Sequence, residues 1–282
     1  MSNSNILKIP KTLETICRCW AEAENALQYD IRNYCPDIYE EDITQIFYLN
    51  FAKTLKIASI NHEIEQSFLK DLKSSFTNIR TTKLNETANG LVADLTLHKS
   101  KHTEGITGGD FGFMITRPQI AFKNSELVPD YYNRGILCQA KLKAASGKWG
   151  DFTKSQEKIL PKRLSYLGLL LYSYNDSKRH NLDTFKWLLG DKTSLSILKE
   201  GLKKDDLPNC IDSAKLIKGI GTATIGTDDN NIVHEIISPK GSPSLVLNIH
   251  WPDKDINDPK SSVKVYSKQK VKPIATARVY CN

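Results

Sequence analysis

The 282-residue chain has no long apolar run. Its most apolar stretch, residues 166–172 (Tyr-Leu-Gly-Leu-Leu-Leu-Tyr), is far short of the about 20 residues a bilayer-spanning helix needs, which excludes an ordinary helical membrane protein. The opening Met1-Ser2-Asn3-Ser4-Asn5-Ile6-Leu7-Lys8 has neither the charged start nor the apolar stretch of a signal peptide, so a cytosolic (cytoplasmic) protein is expected. Six cysteines (Cys17, Cys19, Cys35, Cys138, Cys210, Cys281) include no pair at zinc-ribbon spacing and read as reduced thiols. Six histidines are equally dispersed. His98 and His102 are four apart, but in a strand end and a loop, where that spacing aligns no ligands. Gly219-Ile220-Gly221 lacks the third glycine and the preceding strand of a dinucleotide site. No repeat, low-complexity tract or composition break marks a linker, so residues 1–282 are read as one elaborated domain.

What is present is ordinary globular composition, 40% apolar and 25% charged, long enough to bury a sizeable core. Against 32 acidic residues stand 39 basic ones, a formal charge of +7 that favours a polyanionic partner without requiring one.

Helical periodicity places a first helix over 10–27 (Leu13, Ile16, Trp20, Ala23, Leu27), interrupted at Tyr34-Cys35-Pro36-Asp37. A second begins near residue 37 or 39, with Glu40, Glu41 and Asp42 in its first turn, and a third covers 61–76. Residues 85–90 form a turn, and 91–97 alternate as a strand with Asp94 at an edge or solvent-facing position. A second strand over 111–115 ends at Arg117-Pro118, a crossing loop follows over 124–133, and a third strand spans 135–142. Residues 153–164 are helical with a break at Pro161, and 165–174 form a buried strand. Further on, 185–189 and 195–202 read as short helices, 244–251 as a strand, and 262–278 as a lysine-bearing edge strand.

The chemistry concentrates in residues 107–143. Thr107-Gly108-Gly109-Asp110 opens one strand and Gln139-Ala140-Lys141 closes the next. Side chains two apart share a face, so Gln139 and Lys141 point together. This pattern, in the order helix, strand, strand, strand, helix, strand, resembles the PD-(D/E)XK nuclease superfamily in its Gln-x-Lys variant, as in Mrr-type restriction enzymes. The resemblance covers about 38–175. It implies an α/β restriction-endonuclease-like core, a central mixed sheet flanked by helices (αβββαβ), with a helical N-terminal and an α+β C-terminal elaboration (176–282). It also implies a Mg²⁺-dependent endodeoxyribonuclease, with Mn²⁺ as a substitute, serving in DNA restriction or anti-phage defence.

Under that resemblance Asp110 anchors the metal, helped by the Gln139 oxygen, the Ala140 carbonyl and Glu41, while Lys141 handles the attacking water. Glu63, Glu65 and Glu104 are alternatives to Glu41. Glutamine in place of the usual acid lowers the charge of the site by one. Lys143, Lys148 and Trp149 offer charge and a stacking face to nucleic acid, and Gln156 contacts phosphate or holds Lys141. A homodimer or a partner subunit is compatible with duplex cutting. The competing readings are an inactive nucleic-acid-binding relative and an adaptor using residues 185–282.

Overall fold

In a computed structural model of the chain, residues 7–34, 40–98, 109–123, 126–143, 149–174, 182–183, 185–190, 197, 209–229, 232–233 and 244–252 are described. Four helices come first: α1 (Pro10–Tyr34), α2 (Glu40–Ile60), α3 (Glu63–Ser75) and α4 (Thr81–Ala88). Then come β1 (Val92–His98), β2 (Phe111–Lys123), β3 (Glu126–Leu142), α5 (Lys154–Ile159), a 3-10 helix (Leu160–Tyr166) and β4 (Leu167–Tyr172). After these follow β5 (Lys186–Leu189), β6 (Ile211–Asp212), α6 (Ser213–Gly221) and β7 (Ser244–His250). No helix among the described residues is long and apolar enough to cross a membrane.

The architecture is α/β: the described strands form one seven-stranded mixed sheet in the order β1-β7-β2-β3-β4-β5-β6, flanked by helices. Strands β2 and β3 form a long antiparallel hairpin, β4 runs parallel to β3, and β7 runs parallel to β2. Strand β1 does not pair with β2. The C-terminal β7 lies between them, antiparallel to β1, an insertion that nothing in the sequence announced.

Residue parity divides the sheet into two faces. On one, Phe113, Ile136, Cys138, Leu170 and Trp187 join the helical layer, where Trp20 of α1 packs on Phe47 and Phe51 of α2 at ring separations of 4.5 and 4.9 Å. On the other, Met114, Leu137, Leu169, Leu171 and Leu188 pack with Trp149, Phe152 and Leu160. Each face buries its own apolar set, so the register cannot slip by one residue without exposing both.

Several boundaries depart from the sequence expectation. The second strand continues through Pro118 to Lys123, and the expected crossing loop is instead hairpin strand from Glu126. Pairing of β2 with β7 ends at Thr116, so among the described residues β2 is from there an edge strand on that side, where a residue without an N–H is tolerated. Helix α4 occupies most of the turn expected over 85–90. Only Asn89-Gly90 turns there, with Gly90 at φ 77° in the left-handed region. The stretch read as a short helix at 185–189 contains β5, whose Trp187 and Leu188 enter opposite cores. Pro161 does break the helix, since α5 gives way to the 3-10 helix there. Residues 262–278 and most of 195–202 lie outside the described residues.

Candidate active site

Asp110 lies immediately before β2, opposite Gln139 of β3, because Phe111 registers with Cys138. Its backbone N–H donates to the Cys138 carbonyl at 2.8 Å. Gly109 makes this approach possible. A Cβ there would sit 2.6 Å from the Leu137 side chain and 2.9 Å from the Cys138 carbonyl oxygen, too close for any other residue without a shift of the backbone.

On β3, Leu137, Gln139 and Lys141 alternate with the residues of the helix-covered core, which puts the two polar side chains on the α5 side of the sheet. Asp110, even-numbered with Met114, belongs to that side as well. One of its oxygens, Oδ2, accepts from the Gln139 amide Nε2 at 2.5 Å and from the Ala140 backbone N–H at 2.6 Å. The Gln139 nitrogen also donates to the Ala140 carbonyl at 3.2 Å. Gln139 is 1% exposed and Lys141 9%.

The Lys141 ammonium donates to the Asp151 carbonyl at 3.0 Å and sits 4.9 Å from the centre of the Phe152 ring. That pairing of a cation with a ring face is favourable and helps keep the amine out of open solvent.

Helix α5 closes the site from above. Thr153 caps it reciprocally with Gln156: the Thr153 hydroxyl accepts from the Gln156 N–H, and the Thr153 N–H donates to Gln156 Oε1 at 2.9 Å. The other end of the Gln156 side chain, Nε2, donates to Gln139 Oε1 at 3.0 Å. Gln156, 2% exposed, therefore reaches Gln139.

Just past β3, Lys143 and Trp149 face each other in an isolated antiparallel bridge, with the Lys143 ammonium 5.7 Å from the ring centre. Trp149 is 8% exposed and packs into the second core, so its ring is a wall of the domain rather than an open stacking face. Lys148 lies outside the described residues, as does Glu104.

Helix α2 begins at the same end of the sheet. Thr44 shares a hydrogen bond of 2.7 Å with the Tyr172 hydroxyl at the end of β4, and the Tyr48 ring packs edge-on against Phe111 at 5.8 Å. Glu41 is one turn before Thr44 in α2, but its side chain lies outside the described residues. Glu63 pairs with Arg18, while Glu65 bonds His62 and the Gly90 N–H, so neither is drawn toward Asp110.

Tyr48 was not legible in the sequence, where it was one more aromatic in an apolar helix. Its hydroxyl is buried without a hydrogen-bond partner among the described residues. Burial, with Tyr172, Cys138 and Asp110 nearby, holds its proton well above the usual tyrosine range. Burial likewise pushes the Cys138 thiol well up, and Asp110 adds to the effect, so this cysteine is an inert core residue.

Among the described residues no three His, Cys, Asp or Glu side chains gather as a metal cluster. The donors near Asp110 are a carboxylate, a carboxamide and a main-chain carbonyl. These are hard oxygens of the type Mg²⁺ accepts, and Mg²⁺ commonly takes one or two carboxylates while keeping several waters, so by chemical type the set fits that ion. In the arrangement described, however, the carboxamide oxygen faces Gln156 and not Asp110. Compared with known proteins, the chain matches no family model and no curated sequence.

Proposed function

We propose that the chain is a metal-dependent nuclease that hydrolyses phosphodiester bonds, in DNA, on a restriction-endonuclease-like core formed by α2, β1, β2, β3, α5 and β4. The observation that carries this reading is the convergence of Asp110, Gln139 and Lys141 on one face at the end of adjacent strands. The basic balance of the chain, +7, agrees with a polyanionic substrate.

Asp110 and the Ala140 carbonyl are the groups that would hold Mg²⁺ here, with Glu41 as the further acid proposed from α2. Bound there, the ion would supply Lewis-acid stabilisation of a phosphoryl oxygen and a more acidic water. The chain's own contribution is positional and electrostatic. Lys141, fixed between the Asp151 carbonyl and Phe152, brings positive charge to a mostly dry site, where it stabilises the charge developing on phosphate oxygens and orients the attacking water. Two N–H donors on Asp110 Oδ2 pin the carboxylate, so little reorganisation is needed when substrate arrives.

The second reading is a nucleic-acid-binding protein without cleavage. It is favoured by those same two donors, which occupy one oxygen of the anchoring carboxylate. A Mg²⁺-dependent cleavage assay on duplex and single-stranded DNA separates the two. The nuclease reading expects cleavage that falls by a factor on the order of 10² or more in Lys141→Met, a variant that keeps the apolar stem and the fold. DNA binding with no cleavage by the wild-type protein in Mg²⁺ or Mn²⁺ selects the second.

A further inference from the structure

A main-chain N–H can only donate, and from that single fact the direction of three successive hydrogen bonds follows. The Thr153 N–H meets one end of the Gln156 carboxamide at 2.9 Å, so that end is the oxygen. The other end is then the nitrogen, and it faces Gln139 at 3.0 Å, so Gln139 presents its oxygen there. The Gln139 nitrogen is left to face Asp110, at 2.5 Å from Oδ2. The helix cap of α5 thus dictates, two side chains away, which atom of Gln139 the carboxylate meets.

We propose that Gln156 is a positioning residue that holds the Gln139 carboxamide with its nitrogen on Asp110, so that Gln139 acts in this site as a donor to the carboxylate and not as a ligand to a cation. The proposal deepens the nuclease reading and rests on it for the role of Asp110. Turning the Gln139 oxygen toward a cation beside Asp110 reverses every link. Gln139 would then present N–H to Gln156, Gln156 would present N–H to the Thr153 N–H, and the cap of α5 would lose its acceptor. Both glutamines are almost fully buried, so water cannot readily repair the loss. The neutral residue at the position of the usual acid therefore supplies what an acid cannot, an N–H directed at Asp110.

The test is nuclear magnetic resonance of the ¹⁵N-labelled full chain, following the Gln139 side-chain NH₂ and the main-chain N–H groups of Ala140 and Thr153. In the wild-type protein the Gln139 NH₂ is expected to exchange with solvent at least about tenfold more slowly than a free glutamine amide. Free-glutamine exchange there overturns the proposal without recourse to any variant. Gln156→Glu keeps an oxygen for the Thr153 N–H but has no donor for Gln139. The Thr153 N–H should therefore stay protected while the Gln139 NH₂ resonances leave their wild-type positions. A purely structural role of Gln156 predicts no such split, and an unmoved Gln139 resonance overturns the proposal. Gln156→Met, which removes the donor without adding charge, serves if the glutamate variant fails to fold. On titration of the wild-type protein with Mg²⁺, the Ala140 N–H should shift while Gln139 NH₂ and Thr153 N–H stay protected. Loss of protection at both shows that the Gln139 oxygen has turned to the ion and overturns the proposal. If Mg²⁺ moves none of the three, the cation-dependent cleavage reading fails, and the wild-type exchange and Gln156→Glu results alone decide the role of Gln156.

Discussion

At the scale of single residues, the site is built on one carboxylate with two donors, and this gives Asp110 a structural cost separable from any chemistry. Asp110→Asn keeps an oxygen able to accept from both the Gln139 amide and the Ala140 N–H. Asp110→Ala leaves both donors buried and unmet. The alanine variant should therefore lose about 1–3 kcal/mol more stability than the asparagine variant, measured by urea denaturation, while both lose cleavage alike. Equal stability of the two variants would show that neither donor depends on residue 110. Gly109→Ala should lower activity as well, since its Cβ would press on Leu137 and on the carbonyl that holds Asp110 in place. The sequence made this much of the site readable, because strand parity alone aligns Gln139 with Lys141 and a register across one hairpin brings Asp110 alongside. It did not make the bond from Gln156 to Gln139 readable, since that contact depends on how α5 lies over the sheet, nor Tyr48, whose hydroxyl has no signature in an apolar helical pattern.

At the scale of elements, a buried polar latch ties α1 to α6 and β5. Glu24 of α1 accepts from Trp20 Nε1 at 2.6 Å and from the Ser213 hydroxyl at 3.0 Å, and Ser213 accepts in turn from Trp187 Nε1 at 2.9 Å. Burial raises the Glu24 carboxyl above its ordinary range, and the hydrogen bonds from Trp20 and Ser213 pull it only partly back. The fold thus keeps a proton that the unfolded chain has already released. Between the ordinary glutamate value and the raised one the native state binds more protons, so this residue's contribution is full at low pH and is lost as pH rises through the raised value. Glu24→Gln keeps an acceptor and cannot titrate. Its stability, measured by chemical denaturation, should fall less than that of the wild type as pH rises from the ordinary glutamate value through the raised one. A parallel pH dependence in the two proteins would place the titration elsewhere. Elements with strong periodicity, such as α1 and α3, were legible because their apolar stripes repeat over several turns. Four-residue β5 was not, since an apolar run that short has no period to distinguish strand from helix.

At the scale of the whole molecule, the described elements from β5 to β7 are woven into the sheet rather than appended to it. Local sequence carries no information about which strands become neighbours, and so the pattern over 244–251 marks a strand but not its place between β1 and β2. That place decides what truncation does. Removing residues 185–282 takes away β5, β6, α6 and β7, which strips β1 of its pairing strand and leaves one side of β2 open from Gly112 to Thr116. It also removes Trp187, fully buried against Trp20, and the Leu216, Ile217 and Ile220 face that α6 packs into the first core. Each lost large side chain costs several kcal/mol in a core of this type, and the sum exceeds the 5–15 kcal/mol that ordinarily separates folded from unfolded chains. The truncated chain is therefore expected to show no cooperative thermal transition by circular dichroism, and no cleavage. A truncated chain that melts cooperatively with the helical signal of residues 10–88 intact would mean that the first helices and the β2–β3 hairpin fold without the strand that separates β1 from β2.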